Sequence, residues 1–321
     1  MAKWYIGIDL GGTFTKTCLM DDAGRTKDII QRPTPTDKGG TAVIEAMGAG
    51  GLEVLASNGF SPSDVAGVGI GSPGPLDMDK GVVLSAPNIP GLGGLPMRDR
   101  VGQIIGAPAV LENDANAAGF GEYVAGSGAG LASLVLLTLG TGIGSGIILD
   151  GQILHGANGV GGEAGHILVE GDGELCGCGQ RGCLERYSSA TYVALWAKTQ
   201  MEQRRWTGPL ADVLGAKGDL DAQDVNEARR AGDALAAEAW HRGIYYLALG
   251  CITICRLLDP NVIAFAGGMT KAGDDLMIPL REQFLKMHWT FAAPRTQLTI
   301  AKLGGDAGAI GAAALARHLL G

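Results

Sequence analysis

The chain of 321 residues is about twice as long as a typical domain, so its length predicts two domains. Apolar residues make up 46% of it and charged residues 18%, which supplies buried cores and excludes a disordered protein. The formal net charge is −8 and the basic residues are dispersed, which argues against a nucleic-acid partner.

Membrane and export signals are not expected in this sequence. The start, MAKWYIGIDLGGT, places the charged Asp9 and a turn where a signal peptide would have an apolar core. The uncharged stretch 124–149 contains seven glycines and five Ser or Thr residues, which favours two strands around a loop over a spanning helix. The sequence therefore predicts a cytoplasmic protein without a membrane partner.

Strands and helices alternate over the first 125 residues. Two β-prone segments, Trp4–Asp9 and Thr15–Met20, flank a turn at 10–13. The elements expected after them are a strand at 25–32, a helix at 40–57, a strand at 65–70, a breaker loop at 71–75, a strand at 108–111 and a helix ending at Val124. This alternation predicts an α/β domain with a mixed sheet.

A second strand-turn-strand unit follows, with strands at Leu134–Leu139 and Gly146–Leu149 around the glycine loop 140–146. It has the arrangement of residues 4–20, which predicts a duplicated architecture. The remaining expectations are an irregular segment at 156–183, helices over 189–258 with breaks near 208 and 218, a strand at 261–266 and a last helix at 307–320. No long linker is visible, so the two domains are expected to share a cleft.

The two glycine turns, DLGGT at 9–13 and LGTGIGSG at 139–146, can present backbone N–H groups to a phosphate. Each signal is weak by itself, because most glycine-rich hairpins are only turns. The chain contains no Gly-Lys pair, which excludes a Walker-type loop, and neither turn fits the dinucleotide fingerprint.

Two acidic positions at strand ends each have two interpretations. Asp9 either orients a magnesium ion beside phosphates or accepts hydrogen bonds within its own turn. In the pair Asn113-Asp114, one residue can be the N-cap of the following helix. Alternatively, the carboxylate lies in a cleft and accepts a proton from a substrate hydroxyl.

A cluster of potential metal ligands is the strongest local signal. His166, Cys176, Cys178 and Cys183 offer one nitrogen and three sulfurs within 18 residues, enough for a tetrahedral zinc site. Unligated thiols or a disulfide are the alternatives, but a disulfide is disfavoured in the cytosol and in a Cys-x-Cys pair. A zinc ion with these four ligands has no open position, so its expected role is structural.

Two glutamates, Glu163 and Glu185, flank this cluster. Each can be an ordinary solvated surface carboxylate. Folding of the loop around zinc would instead bring both carboxylates and the His166 imidazole onto one rigid patch, which suits the binding of several hydroxyl groups.

Taken together, these motifs resemble the ROK family of sugar kinases, and within it the bacterial ATP-dependent glucokinases. The resemblance runs almost from end to end. It rests on DLGGT at 9–13, GSPGPLD at 71–77, ENDANAAGFGEY at 112–123, LGTGIGSGII at 139–148, GEAGHI at 162–167, CGCGQRGCLE at 176–185 and FAGG at 265–268. The GEAGHI and CGCGQRGCLE pair is highly specific, whereas actin-like and hexokinase-like ATPases share the glycine turns.

The resemblance implies an α/β, two-lobed actin-like or hexokinase-like ATPase fold, with duplicated mixed-sheet domains around a cleft. The expected small domain is 1–112, to which a C-terminal helix at 306–321 returns. The expected large domain is 113–305 and contains the zinc loop 166–183. A homodimer is expected from the same resemblance.

The implied activity is ATP-dependent phosphorylation of glucose to glucose 6-phosphate, with Mg²⁺ bound beside ATP and a structural Zn²⁺. Asp114 matches the general base that takes the proton from the sugar 6-hydroxyl. The positions that match sugar-binding groups are Gly74, Asn88, Asn113, Asp114, Glu163, His166 and Glu185. Those expected around ATP and Mg²⁺ are Asp9, Gly11, Gly12, Thr13, Lys16, Thr141, Gly142, Gly267 and Gly268. Two departures stand out: Phe14 replaces a lysine of many members, and Arg186 follows the last Glu.

The sequence leaves other functions open. A sugar-responsive repressor of the same family would need a DNA-binding segment ahead of the first glycine turn, and no basic stripe replaces one. An actin-like ATPase without sugar chemistry would not need the hydroxyl-binding patch. Among sugars, N-acetylmannosamine, fructose and mannose are the alternatives to glucose, and a sugar-binding regulator without turnover is a further one.

Overall fold

Two five-stranded mixed sheets organise the chain in the computed structural model, which describes residues 3–86, 88–289 and 292–321. In chain order the strands are β1 (Trp4–Leu10), β2 (Phe14–Asp21), β3 (Thr26–Pro33), β4 (Val65–Ser72), β5 (Leu76–Asp77), β6 (Val82–Val83), β7 (Ala109–Asn113), β8 (Ser133–Leu139), β9 (Ile143–Leu149), β10 (Gln152–Ile153), β11 (Val262–Ala266) and β12 (Gln297–Ile300). Strands β5 and β6 form a separate short hairpin.

Both large sheets have the same strand order. The first is β3-β2-β1-β4-β7 and the second is β10-β9-β8-β11-β12, so each follows the pattern third, second, first, fourth, fifth along the chain. In the first sheet β1 is antiparallel to β2 and parallel to β4. In the second sheet β9 is antiparallel to β10 and β8 is parallel to β11. The expected α/β class and the duplicated mixed-sheet architecture are confirmed.

Helices occupy most of the remaining chain. The α-helices are α1 (Gly40–Ser57), α2 (Met97–Ile105), α3 (Asp114–Ala125), α4 (Glu185–Ser188), α5 (Ala190–Arg204), α6 (Pro209–Lys217), α7 (Ala222–Arg230), α8 (Ala234–Leu258), α9 (Asp274–Met287) and α10 (Ala307–Leu320). None of the helices in the described ranges combines the length and hydropathy needed to cross a bilayer.

The chain divides into two compact units. Unit 1 contains the residues up to Leu131, the segment Gly146–Ile153 and the C-terminal segment Lys302–Gly321. Unit 2 contains Ala132–Ser145 and Leu154–Ala301. The domain limits inferred from the sequence, with a boundary after residue 112, stay a prediction.

In unit 1 the C-terminal helix α10 lies directly on the backbones of β4 and α3. A Cβ atom on Gly69 of β4 would lie 1.8 Å from the Ala312 carbonyl oxygen, and one on Gly311 would lie 1.7 Å from the Ala117 carbonyl oxygen. Only glycine allows backbones to approach so closely. The last helix therefore fixes α3, whose first residue is Asp114.

The second glycine turn is shorter than the sequence pattern indicates. The Gly140 N–H donates to the Gly142 carbonyl over 3.0 Å, which closes the turn within three residues. Strand β9 consequently starts at the buried Ile143 and not at Gly146. The expected start was wrong because Gly144 and Gly146 are strand residues. A strand tolerates glycine where another backbone approaches it. A Cβ on Gly146 would lie 2.5 Å from the Ala115 carbonyl oxygen.

Candidate active site

The residues Asn113 and Asp114 mark the junction of β7 and α3 in unit 1. The Asn113 side-chain oxygen accepts hydrogen bonds from the N–H groups of Ala115 at 2.9 Å and Asn116 at 3.2 Å, so Asn113 is the helix N-cap. Asp114 is the first helical residue, and its Oδ1 accepts from the Ala115 N–H at 2.8 Å. Burial raises the pKa of Asp114, although this backbone hydrogen bond lowers it.

A further buried acid, Glu112, supports this junction. Its Oε1 accepts from the Asn113 N–H at 2.8 Å and from the Asn116 Nδ2 at 3.0 Å. Glu112 thus holds both the strand end and the first helical turn that carry Asp114. Glu112 belongs to the motif ENDAN. The motif does not predict that its side chain bonds to the residues that follow it.

The carboxylate of Asp9 lies at the end of β1, against the start of α10. A Cβ on Gly308 would lie 2.5 Å from the Asp9 Oδ2, so the helix backbone contacts the acid directly. Burial, and then the negative charge of Asp114, raise the pKa of Asp9 to about 6, while the cross-strand neighbour Lys16 lowers it. Asp9 and Asp114 therefore belong to one group of acidic side chains.

Lys16 is held by the segment that precedes α10. Its Nζ donates to the Gly305 carbonyl at 2.8 Å and forms an ion pair with the Asp306 Oδ1 at 2.7 Å. Phosphate contact by this amine therefore stays a prediction. In the neighbouring turn, Gly12 and Thr13 are exposed, and a Cβ on Gly12 would meet nothing within 4 Å.

Of the two weaker sugar-site candidates, Gly74 lies beside the junction. Its Cβ position is 3.7 Å from the Asn113 Nδ2. Asn88 is exposed, and within the described residues no hydrogen bond connects it to Asn113 or Asp114. The structure thus groups Gly74 with the candidate base, and the part of Asn88 in the site stays a prediction.

In unit 2 the four potential metal ligands converge. The ligand atoms of His166, Cys176, Cys178 and Cys183 all lie within 4.8 Å of one another. The Cys176 Sγ is 3.8 Å from the His166 Nδ1, and the Cys178 Sγ is 3.6 Å from the Cys183 Sγ. Zn–S and Zn–N bonds of standard length in a tetrahedron separate ligand atoms by about 3.3–3.8 Å. The donor set therefore fits a zinc ion.

Hydrogen bonds within the loop hold this cluster together. The Gln180 Nε2 donates to the His166 carbonyl at 2.7 Å and to the Cys183 Sγ at 3.1 Å. The Cys176 N–H donates to the Gln180 carbonyl at 2.8 Å. Gln180 thereby links both ends of the loop, a role that its place inside CGCGQRGC does not reveal.

Glu185 connects the cluster with the second glycine turn. Its Oε1 is 3.8 Å from the Cys176 Sγ, and its Oε2 accepts from the Ile143 N–H at 2.8 Å. A Cβ on Gly142 would lie 2.3 Å from the same Oε2, so any larger residue there would displace the Glu185 carboxylate. The structure therefore brings together Glu185, the metal ligands and Gly142. This contact between distant segments has no sequence signal.

Glu163 and Thr141 are exposed near these groups. Glu163 immediately precedes the short 3₁₀ helix Ala164–His166, and its carbonyl accepts from the His166 N–H at 3.0 Å. The unusual Arg186 has other partners: its guanidinium stacks 4.0 Å from the centroid of the Tyr192 ring, and its Nε lies 3.4 Å from a carboxylate oxygen of Glu174.

A cavity of about 440 Å³ opens beside the end of β11 in unit 2. Its lining includes Gly268, Lys271, Trp240 of α8 and Asn226 of α7. The preceding Gly267 has φ +90° and packs on the Leu139 carbonyl, so no other residue fits there without strain. The volume is that of a small-molecule site, and of the two expected glycines Gly268 is part of its lining.

Comparison with known proteins decides the family. A family model described as ROK family matches residues 5–319. The chain belongs to the ROK family. It is 37% identical to a glucokinase of Halalkalibacterium halodurans, over 96% of this chain and 93% of the relative.

Two solved structures of the same family are similar over nearly their whole length. A ROK family glucokinase from Streptomyces griseus, in complex with glucose and AMPPNP, is 36% identical with a TM-score of 0.77, and the match covers 98% of this chain and 99% of that one. A ROK hexokinase from Thermus thermophilus is 32% identical with a TM-score of 0.81, covering 98% and 97%. The resemblance inferred from the motifs is therefore confirmed.

Proposed function

We propose that this protein is a sugar kinase that transfers the γ-phosphoryl group of ATP to the 6-hydroxyl of glucose. The observation that carries the proposal is Asp114, a partly buried carboxylate of raised pKa at the first position of α3. It occurs in a chain whose relatives named glucokinase align with almost every residue.

Asp114 accepts the proton of the sugar hydroxyl as that oxygen attacks phosphorus. A raised pKa makes this carboxylate a stronger base than one at the surface. Phosphoryl transfer otherwise depends on positioning and on neutralising phosphate charge. Glu112 and the Asn113 cap supply positioning, because they fix the turn that holds the base.

The sugar hydroxyls are bound by Asn113, Glu163, His166 and Glu185, with Gly74 and Asn88 at the edge of the site. The Asn113 oxygen is used in the helix cap, so its Nδ2 donates to the sugar. The Glu185 Oε2 is used by the Ile143 N–H, so its Oε1 accepts from the sugar. A site built from such paired groups rejects a sugar that leaves one of them without a partner.

The nucleotide is bound by groups from both glycine turns. The phosphates lie on Gly11, Gly12 and Thr13 and on Thr141 and Gly142, with Lys16 adding positive charge from its place beside Asp306. Mg²⁺, when bound, neutralises phosphate charge, and Asp9 is the residue that would hold it. The cavity beside Gly267 and Gly268 receives the adenosine, since it has the size of a small-molecule site.

Zinc held by His166, Cys176, Cys178 and Cys183 has a structural role, because four protein ligands leave no position for substrate. The His166 Nδ1 faces Cys176, which leaves the Nε2 free for a sugar hydroxyl. A zinc ion at this place would fix the orientation of His166 and, through the loop, of Glu185.

The decisive test is ADP release from ATP and Mg²⁺ with a panel of glucose, mannose, fructose, N-acetylglucosamine and N-acetylmannosamine. Turnover highest with glucose supports the proposal. A preference for an N-acetylated sugar or for fructose would retain the kinase mechanism but change the substrate. No turnover with any sugar would refute the enzyme and favour a sugar-binding regulator. Light scattering of the same preparation tests the expected homodimer.

A further inference from the structure

The buried carboxylate of Glu122 is not used by the proposed mechanism. Glu122 lies in the third turn of α3, within ENDANAAGFGEY, and is 0% exposed. A fully buried carboxylate is unfavourable unless hydrogen bonds compensate the loss of water. Its bonding partners therefore indicate what it does.

Four donors from two separate segments of unit 1 point at this carboxylate, counted over the described residues. Oε2 accepts from the N–H and the hydroxyl of Ser127, at 2.8 and 2.7 Å, and from the Lys302 N–H at 3.1 Å. Oε1 accepts from the Leu303 N–H at 2.6 Å. Gly126 leaves room for it, because a Cβ there would lie 2.1 Å from Oε2.

Both segments are places where the chain passes from one unit to the other. Ser127 begins the connection from α3 to β8, in which unit 1 ends at Leu131. Lys302 and Leu303 begin the return from β12 to α10, in which unit 2 ends at Ala301. The chain crosses between the units four times, and the Glu122 side chain is hydrogen-bonded to the segments at two of these crossings.

The same helix carries the candidate base. Asp114 is the first residue of α3 and Glu122 follows eight positions later, about 12 Å along the helix axis. Gly121 and Gly311 bring α3 and α10 into backbone contact between these two points. Helix α3 is therefore a rigid piece with the base at one end and two chain connections at the other.

We propose that Glu122 is a positioning residue for phosphoryl transfer, which anchors both connecting segments to the helix that carries Asp114. The anchored ends of both connections are thereby fixed to α3, which holds the helix, and Asp114 at its start, in place. The inference rests on the proposed function, because it takes Asp114 as the base. It assigns to Glu122 the role of fixing the helix of the base through two connecting segments.

Glu122→Gln tests this directly. The amide has nearly the same shape but presents N–H groups to some of the four donors, which leaves at least one of them unpaired. We expect kcat with glucose to fall about 10- to 100-fold, as for displacements of about 1 Å at a reacting centre. Hydrogen exchange at the Lys302 and Leu303 amides should be at least about tenfold faster, with substrate absent.

Asp233→Asn is the matched control. Asp233 is also buried, at 3% exposure, and accepts from Leu210, Leu235, Ala236 and the Trp206 indole, all within unit 2. We expect a similar decrease of Tm but a kcat within about twofold of wild type. Ser127→Ala removes only the hydroxyl donor and should change kcat in the same direction as Glu122→Gln, even if the latter folds poorly.

The outcomes separate this inference from the proposed function. If Glu122→Gln and Asp233→Asn lower Tm equally and neither changes kcat, the positioning role is overturned. Unchanged exchange at Lys302 and Leu303 overturns the anchor itself. A wild type that phosphorylates no sugar overturns the proposed function and the positioning role with it, whereas fast exchange in Glu122→Gln would still identify the anchor.

Discussion

Asp9 is a group whose charge opposes folding, so Asp9→Asn should stabilise the protein near neutral pH. The carboxylate is pressed against the backbone of α10 at Gly308 and lies near the charge of Asp114. Within the described residues, no hydrogen bond to the Asp9 carboxylate lowers its pKa. Asn has almost the same shape and no charge, so the replacement removes the unfavourable interaction and keeps the packing.

The magnitude follows from the raised pKa. A value of about 6 in the folded protein, against an ordinary value of 3.8, corresponds to a penalty of about 3 kcal/mol once both states are ionised. Residual solvent around Asp9 screens the charge, so we expect about 1–3 kcal/mol. Because the folded pKa is the higher one, the penalty is absent below about pH 4, grows as the pH rises toward 6 and is constant above that.

The assay is urea unfolding of wild type and Asp9→Asn between about pH 4 and pH 8, in buffer free of nucleotide and Mg²⁺. The free energies of unfolding should coincide at the acid end and diverge through pH 6, with the variant more stable. Asp233→Asn should show the opposite sign. Burial would raise the pKa of Asp233, but hydrogen bonds from Ala236, Leu210 and Trp206 hold it below its usual range. A variant of Asp9 that is less stable at about pH 7.5, or a difference independent of pH, would refute the reasoning.

Asp114→Ala should lower kcat by about 10²- to 10⁴-fold while equilibrium sugar binding largely survives; a near-normal kcat would exclude Asp114 as the base. Cys178→Ser should lower the zinc content measured by mass spectrometry and weaken sugar affinity through displaced His166, and a wild type purified without zinc would contradict the metal site. Gly311→Ala should destabilise by about 1–3 kcal/mol, because its Cβ would lie 1.7 Å from a backbone oxygen of α3. Its control is Gly215→Ala in α6, where the Cβ meets nothing within 4 Å and stability should rise by up to about 1 kcal/mol; equal effects would contradict the packing argument.

Elements with a strong local pattern were predictable from the sequence. The expected helix at 40–57 has the same bounds as α1, and the first expected strand is one residue shorter than β1. The sequence pattern assigned no element to residues 274–287 and 297–300. Helix α9 contains Pro279, which normally argues against a helix interior, and β12 has only four residues. Tertiary packing decides both.

In the candidate site, contacts between residues close in the sequence were predictable, and contacts between distant residues were not. The four potential metal ligands lie within one short segment, so ligand count and spacing were enough to predict that they meet. Lys16 has partners 289 and 290 residues away, and Glu122, besides the nearby Ser127, has partners 180 and 181 residues away. A single sequence carries no trace of such contacts, because they depend on how α10 returns to the first sheet.

That return has a consequence for synthesis of the chain on the ribosome. The glycine-rich face of β1 and β4 is covered by α10, which is synthesised after all the residues of unit 2. At about 5–20 residues per second, translation from Leu131 to Gly321 takes about 10 to 40 s, and during this time α10 does not yet cover the face. Unit 2, made entirely of residues between Ala132 and Ala301, is complete before unit 1. The first unit begun is therefore the last one that can finish folding, and chaperones that shield nascent sheets have a long interval in which to bind it.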